Sequence, residues 1–273
     1  VLRGVGPEVY EENKEDFENL ISDLTAKYGE IDGVREMIGP SIATLNTHFG
    51  LVGEELGKAA EELLMFVSNN KITNPDMVVD EIKKGFSAYN DEYSYERLTK
   101  VLELYTKAGE GNNVGFSQIS QIIKDNSGII TALGWNYDRA IQEVGTMIQN
   151  GLEPTKILGA FTKGTAFSLK GKNVKEDDDG NDGKKKKKKK TPPPPPLDPA
   201  TKKLYGGGLD TREGIQTLLE AIKGKEPKEQ KELFIEMFGG RQGGDIYEKY
   251  KSGVLKLDKL IQQEEQPKKV APP

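Results

Sequence analysis

The chain has no cysteine and one histidine, His48. The first absence excludes disulfides, thiolate nucleophiles and cysteine-ligated metals. The second leaves a single imidazole, which cannot build a zinc site without cysteine partners. Tryptophan occurs once, at Trp135. No apolar run approaches the roughly 20 residues of a bilayer-spanning helix. No signal-peptide pattern is visible either. Apolar residues make up 35% of the chain and charged residues 30%, with a mean hydropathy of −0.62. So little apolar surface predicts a thin, extended or stacked fold rather than one large core. The length of 273 residues allows one or two domains. A net charge of −5 argues against general nucleic-acid binding by the whole chain. The first residue is Val1, and we expect a fragment or a processed product.

What is present is helical patterning. Period-2 alternation long enough for a sheet is missing, so the class is all-α, a bundle or stacked array of short amphipathic helices. Asn13 or Asp16 can cap a helix carrying Phe17, Leu20, Ile21 and Leu24 on one face. Val34 to Ile38 and Ile42 to Leu45 read as two short helices around Gly39-Pro40. A strong helix follows from Val52 to Ser68. Asn74 caps the next, with Pro75 at its first position, and Ser94 caps a third that stops at Gly109.

From Asn113 to Gly171 the pattern predicts three helices. Phe116, Ile119, Ile122 and Ile123 stripe the first, and Gly128 and Gly134 interrupt. Asn136 or Asp138 caps the second, striped by Ala140, Ile141, Val144, Met147 and Ile148. Asn150-Gly151 stops it, Pro154 opens the third, and Ile157, Leu158 and Phe161 form its stripe. Further on, Ile215, Leu218, Leu219 and Ile222 lie on one helix. Leu233, Phe234, Met237 and Phe238 lie on the next, which ends in Gly239-Gly240-Arg241.

This order resembles the core of phage tail tape-measure proteins. The residues that carry the resemblance are Thr131-Ala132-Leu133-Gly134 and Gln149-Asn150-Gly151-Leu152, each between helices, then the Gly239-Gly240-Arg241 ending. It covers roughly Met77 to Lys259. The opening Val9-Tyr10 and Phe17 to Leu24 resemble another phrase of the family more faintly.

The domains read as a helical tape-measure-core-like region over 1–172, an Asp/Lys/Pro-rich linker over 173–197, a small helical unit over 198–265 and a polar tail over 266–273. The linker holds Asp177 to Asp179, the seven lysines Lys184 to Lys190 and the five prolines Pro192 to Pro196. It can bury no apolar surface, so disorder is expected.

Each candidate site has a plainer reading. Lys184 to Lys190 could bind a phosphate backbone, anionic lipid or an acidic protein groove, but no arginine or aromatic is interleaved, and a solvated spacer is favoured. Lys190-Thr191 and the prolines behind them read as a linker rather than a recognition motif. Asp177 to Asp182 superficially resembles a calcium loop but lacks its alternating ligands and closing glutamate. Gly239 to Gly244 lacks the Lys-Ser/Thr and the preceding strand of a phosphate cradle, and reads as a helix stop followed by a flexible joint. Gly206 to Gly208 reads the same way. His48 is expected as a helix C-cap or surface residue, Trp135 as core, and Glu54, Glu55, Glu61 and Glu62 as a solvated helix face. No catalytic, cofactor-binding or metal-ligating residue is assigned, and no small-molecule substrate is expected.

The resemblance implies a structural role: setting tail length and occupying the tail-tube lumen. It implies the tail tube protein, tail assembly chaperones and self-association as partners, and the virion tail, with host cytoplasm during assembly, as location. DNA contact through Lys184 to Lys190 is conceivable in that setting. The alternative is a cytosolic helical scaffold or adaptor whose Lys/Pro segment is a flexible linker. A nucleic-acid-associated factor acting through the lysines comes third.

Overall fold

The computed structural model describes residues 5–110, 114–161 and 212–262. Among these residues there are fourteen helices and no β-strand, so the protein is all-α. They are α1 (Pro7–Glu12), α2 (Lys14–Tyr28), α3 (Arg35–Phe49), α4 (Gly53–Asn69), α5 (Pro75–Tyr89), α6 (Tyr95–Gly109), α7 (Phe116–Asp125), α8 (Ser127–Ala132) and α9 (Tyr137–Gln149). Then come α10 (154–161), α11 (Arg212–Ile222), α12 (Pro227–Phe238), α13 (Gly240–Lys251) and α14 (Leu257–Leu260). The expected 173–197 linker and 266–273 tail lie outside the described residues.

Packing sorts the chain into two compact units. One gathers Val1–Asp125 with Trp135–Gly151, the other Asn126–Gly134 with Leu152–Pro273.

The caps are where side-chain chemistry demands them. Asn74 Oδ1 accepts from Asp76 N at 3.1 Å, Ser94 Oγ from Arg97 N at 3.2 Å and Asn136 Oδ1 from Arg139 N at 2.9 Å. Each supplies an acceptor to a first-turn N–H that has no helical partner. Asn13 does not cap α2; its amide turns back and donates to the Val9 carbonyl at 3.0 Å. Gly134 and Gly151 have φ of +75° and +68°. Both supply the left-handed turn that ends a helix, a conformation most L-residues resist.

Two breaks expected from sequence are absent. The helices predicted on either side of Gly39-Pro40 are one helix, α3, with Pro40 inside it. A mid-helix proline forfeits the bond to the carbonyl four residues back and costs about 3 kcal/mol. Against that, Met37, Ile38, Ile42 and Leu45 are all buried, in a helix that packs on α2, α4 and α5. At about 1.5–3 kcal/mol for each large apolar side chain, their burial outweighs the lost bond. Likewise Gly128 does not interrupt. It lies within α8, and the chain breaks two residues earlier, at Asn126. The 113–171 stretch therefore carries four helices among its described residues, not three, because buried Ile129 and Ile130 hold the extra turn.

In the first unit, α6 carries the core. It packs on α4, α7 and α9. Leu98, Val101, Leu102 and Tyr105 of α6 are buried, as are Ala140, Ile141, Val144 and Met147 of α9. An aromatic group fills the centre. Tyr137 stacks on Tyr89 (ring centroids 5.4 Å) and meets Phe86 edge-on (5.8 Å), and its hydroxyl lies 3.0 Å from that of Tyr105.

Close approach of α6 and α9 depends on Gly145. A Cβ there would sit 2.5 Å from the Cβ and 2.9 Å from the Cα of Ala108. We expect Gly145→Ala to force the helices apart and cost about 1–3 kcal/mol in urea unfolding, although alanine is the better helix former. Adding Ala108→Gly should recover part of that loss.

The second unit is centred on Phe234. Its ring meets those of Phe238, Tyr247 and Tyr250 at 5.5–5.6 Å, and Phe161 of α10 packs edge-on against Phe238. Here Gly239 to Gly244 is not a flexible joint. Gly239 turns the chain, and Gly240 onward forms α13. Gly243 lies at the crossing of α12 and α13, where an added Cβ would meet the Ile235 Cα at 2.6 Å.

Candidate functional site

The residues singled out from sequence do not converge on one place. Trp135 is core, 3% exposed, with the Arg139 guanidinium 5.7 Å from its ring centre. Glu54 pairs with Lys58 at 2.6 Å along α4, and Glu61 accepts from Lys27 at 2.8 Å and Tyr28 at 3.3 Å. Glu55 and Glu62 are exposed. This is a solvated helix face with surface ion pairs, which water and salt screen. Asp177 to Asp182, Lys184 to Lys190, Thr191, Pro192 to Pro196 and Gly206 to Gly208 lie outside the described residues.

His48 lies in the last turn of α3, and its Nε2 is 3.4 Å from Asp76 Oδ1 on α5. The Thr44 hydroxyl, one turn earlier, donates to that same oxygen at 2.7 Å. The trio fastens α3 to the start of α5.

The most elaborate polar cluster in the first unit was not visible in the sequence. Arg97, on the first turn of α6, donates to both oxygens of Asp138 at 2.8 and 3.0 Å. It also donates to both oxygens of Asp91 in the α5–α6 loop, and its guanidinium lies 5.6 Å from the Phe86 ring centre. Lys100 reaches Asp138 at 2.6 Å. Asp138 is 11% exposed at its side chain and Arg97 23%. The hydrogen bonds Arg97 donates to Asp138 raise its pKa above the ordinary value, against partial burial. Burial pushes the Asp138 carboxyl up, yet the hydrogen bonds from Arg97 and Lys100 prevail and hold it below its ordinary value. Each oxygen of Asp91 and Asp138 accepts from a cation, so this is a clamp joining the loop, α6 and α9.

The tyrosines beneath it are equally committed to structure. Burial pushes Tyr89 and Tyr105 up to about 12, and Tyr137 well above its ordinary value. They stay protonated at neutral pH. Among the described residues no group of three or more histidine, aspartate or glutamate side chains could hold a metal ion. No helix among them is long and apolar enough to cross a membrane.

Two open grooves among the described residues bear on function. One, in the second unit, has a volume of about 390 Å³ and mixes Lys156 and Lys249 with Glu153, Asp245 and Glu248. The other, in the first unit, has a volume of about 490 Å³. The α2–α3 turn and the first half of α3 form one side of it, and the end of α4 with the α4–α5 turn forms the other. Met37, Pro40, Val67, Ile72 and Pro75 line it, with Asp32, Glu36 and Lys71 at its edges.

Compared with known proteins, the chain matches no protein-family model, no curated protein and no solved structure. Any functional reading therefore rests on the residues themselves.

Proposed function

We propose that the chain is a structural segment of a phage or prophage tail tape-measure protein, setting tail length and occupying the tail-tube lumen. The observation that supports this reading is the order of turns. A left-handed glycine closes each of two short turns, Thr131 to Gly134 and Gln149 to Leu152, on either side of α9. The Gly239-Gly240-Arg241 phrase then follows α12. Among the described residues the polar clusters around Arg97 and His48 join helices, which suits a ruler better than a catalyst. In this reading the partners are the tail tube protein, tail assembly chaperones and further copies of the chain. Its places are the virion tail and, during assembly, host cytoplasm.

The test is mass spectrometry of purified virions or tails. The tryptic peptide Ala140 to Lys156 should appear in intact tails beside the tube protein. Its absence from particles, with the protein recovered free, would sink the proposal. The apolar groove of the first unit favours a second reading, a cytosolic helical scaffold or adaptor, which that same negative result would promote.

A further inference from the structure

The groove of the first unit is bordered by charges that the fold leaves unused. Asp32, Glu36 and Lys71 are all exposed, and none has an ion-pair partner among the described residues. Other lysines of the unit pair, Lys27 with Glu61 and Lys100 with Asp138 among them, whereas Lys71 faces the groove with its charge open.

Two backbone features concentrate at this groove. Lys71 has φ +54° in the turn that ends α4. The turn closes with Ile72 N bonding the Val67 carbonyl at 2.8 Å and Lys71 N the Ser68 carbonyl at 3.1 Å. Glycine is the residue this position ordinarily takes, and a lysine there is strained. Such strain at the edge of a cavity points to use of the side chain. Across the groove, Pro40 has no N–H to give the Glu36 carbonyl, so that lining residue lacks the usual helical bond from four residues on.

We propose that this groove binds a peptide segment in which one large apolar side chain lies between a basic and an acidic residue. The apolar side chain seats on Met37, Pro40 and Ile72. The basic residue meets Asp32, Glu36 and the Glu36 carbonyl, and the acidic residue meets Lys71. The volume falls within the roughly 300–1,000 Å³ of ligand sites, and its open side admits a continuous chain. Charge complementarity sets the direction in which the peptide lies. The inference holds whether the protein is a tail component or an adaptor.

A random-peptide display library panned on the full 273-residue chain tests it. Enriched peptides should share the basic–apolar–acidic order. Lys71→Glu should weaken them by about tenfold, the loss of one charged hydrogen bond. Panning on that variant should replace the acidic position with a basic one. Lys71→Gly separates recognition from folding: it should raise the thermal midpoint by relieving the turn while still weakening the peptides. No enrichment, or enriched peptides indifferent to both Lys71→Glu and Asp32→Lys, overturns the proposal. Peptides selected for an apolar residue alone, without charge dependence, overturn it too.

Discussion

Gly243→Ala should destabilise the second unit by about 2–3 kcal/mol, although alanine favours a helix by about 1 kcal/mol over glycine. The new methyl group would meet the backbone of Phe234 and Ile235, including the Ile235 Cα at 2.6 Å. A long side chain could swing away; a helix backbone cannot. The crossing of α12 and α13 must widen, and the contacts of Phe234 with Tyr247 and Tyr250 loosen with it. In a unit of this size the thermal midpoint should fall by about 8–20 °C. Near-ultraviolet circular dichroism should register the loss through those tyrosines. Gly244→Ala is the control: nothing lies within 4 Å of a Cβ there, so it should leave the midpoint unchanged or raise it. Equal losses at both positions would show that α13 does not cross α12 at Gly243.

The second large effect belongs to the Arg97 clamp. Removing one partner of a buried ion pair costs about 3–5 kcal/mol because the other charge is stranded. Arg97 is 23% exposed and Lys100 still reaches Asp138, so Arg97→Met should cost less, about 2–3 kcal/mol near neutral pH. The pH dependence separates the clamp from simple packing. Asp138 has a folded-state pKa below its unfolded value. Its contribution is therefore fully present above about pH 4, the unfolded value, and is lost as pH falls through the lower folded value. Urea midpoints of the parent protein should decline steeply through that acid window. Asp138→Asn should flatten the decline, and the gap between Arg97→Met and the parent should close as Asp138 takes up its proton. A gap constant down to pH 2 would assign Arg97 a packing role only.

Much of the architecture can be read from the residues. The apolar stripes of α4, α6 and α12 are buried as their spacing predicts, those of α7 and α9 except for half-buried Ile122 and Ile148, and Asn74, Ser94 and Asn136 cap where short polar side chains precede apolar runs. The misreadings share a cause. Pro40, Gly128, Gly243 and Gly244 are breakers by intrinsic preference, and each lies inside a helix. Local propensity knows nothing of the neighbours that reward continuing the helix. For Gly243 the reward is closeness: the missing side chain that weakens a lone helix lets two helices meet. The clamp was illegible for another reason. Arg97 and Asp138 are 41 residues apart, and a chain with 30% charged residues offers many such pairs. The groove depends on two turns brought together by α3, α4 and α5, and on a backbone angle at Lys71 that no composition rule predicts.

The division into two packing units also limits how the chain can be shortened. Moving along it, one leaves the first unit at Asp125, returns at Trp135 and leaves again at Gly151. Neither unit is therefore a single continuous stretch. A gene fragment ending at Asp125 loses α9, so Leu98, Val101 and Leu102 lose a cover and Arg97 loses Asp138. One ending at Gly151 restores these, but strands Ile129, Ile130 and Leu133 away from the rest of their own unit. Each clean cut for one body is a ragged cut for the other. Recombination that swaps or trims such a chain would keep both bodies intact only by exchanging them together.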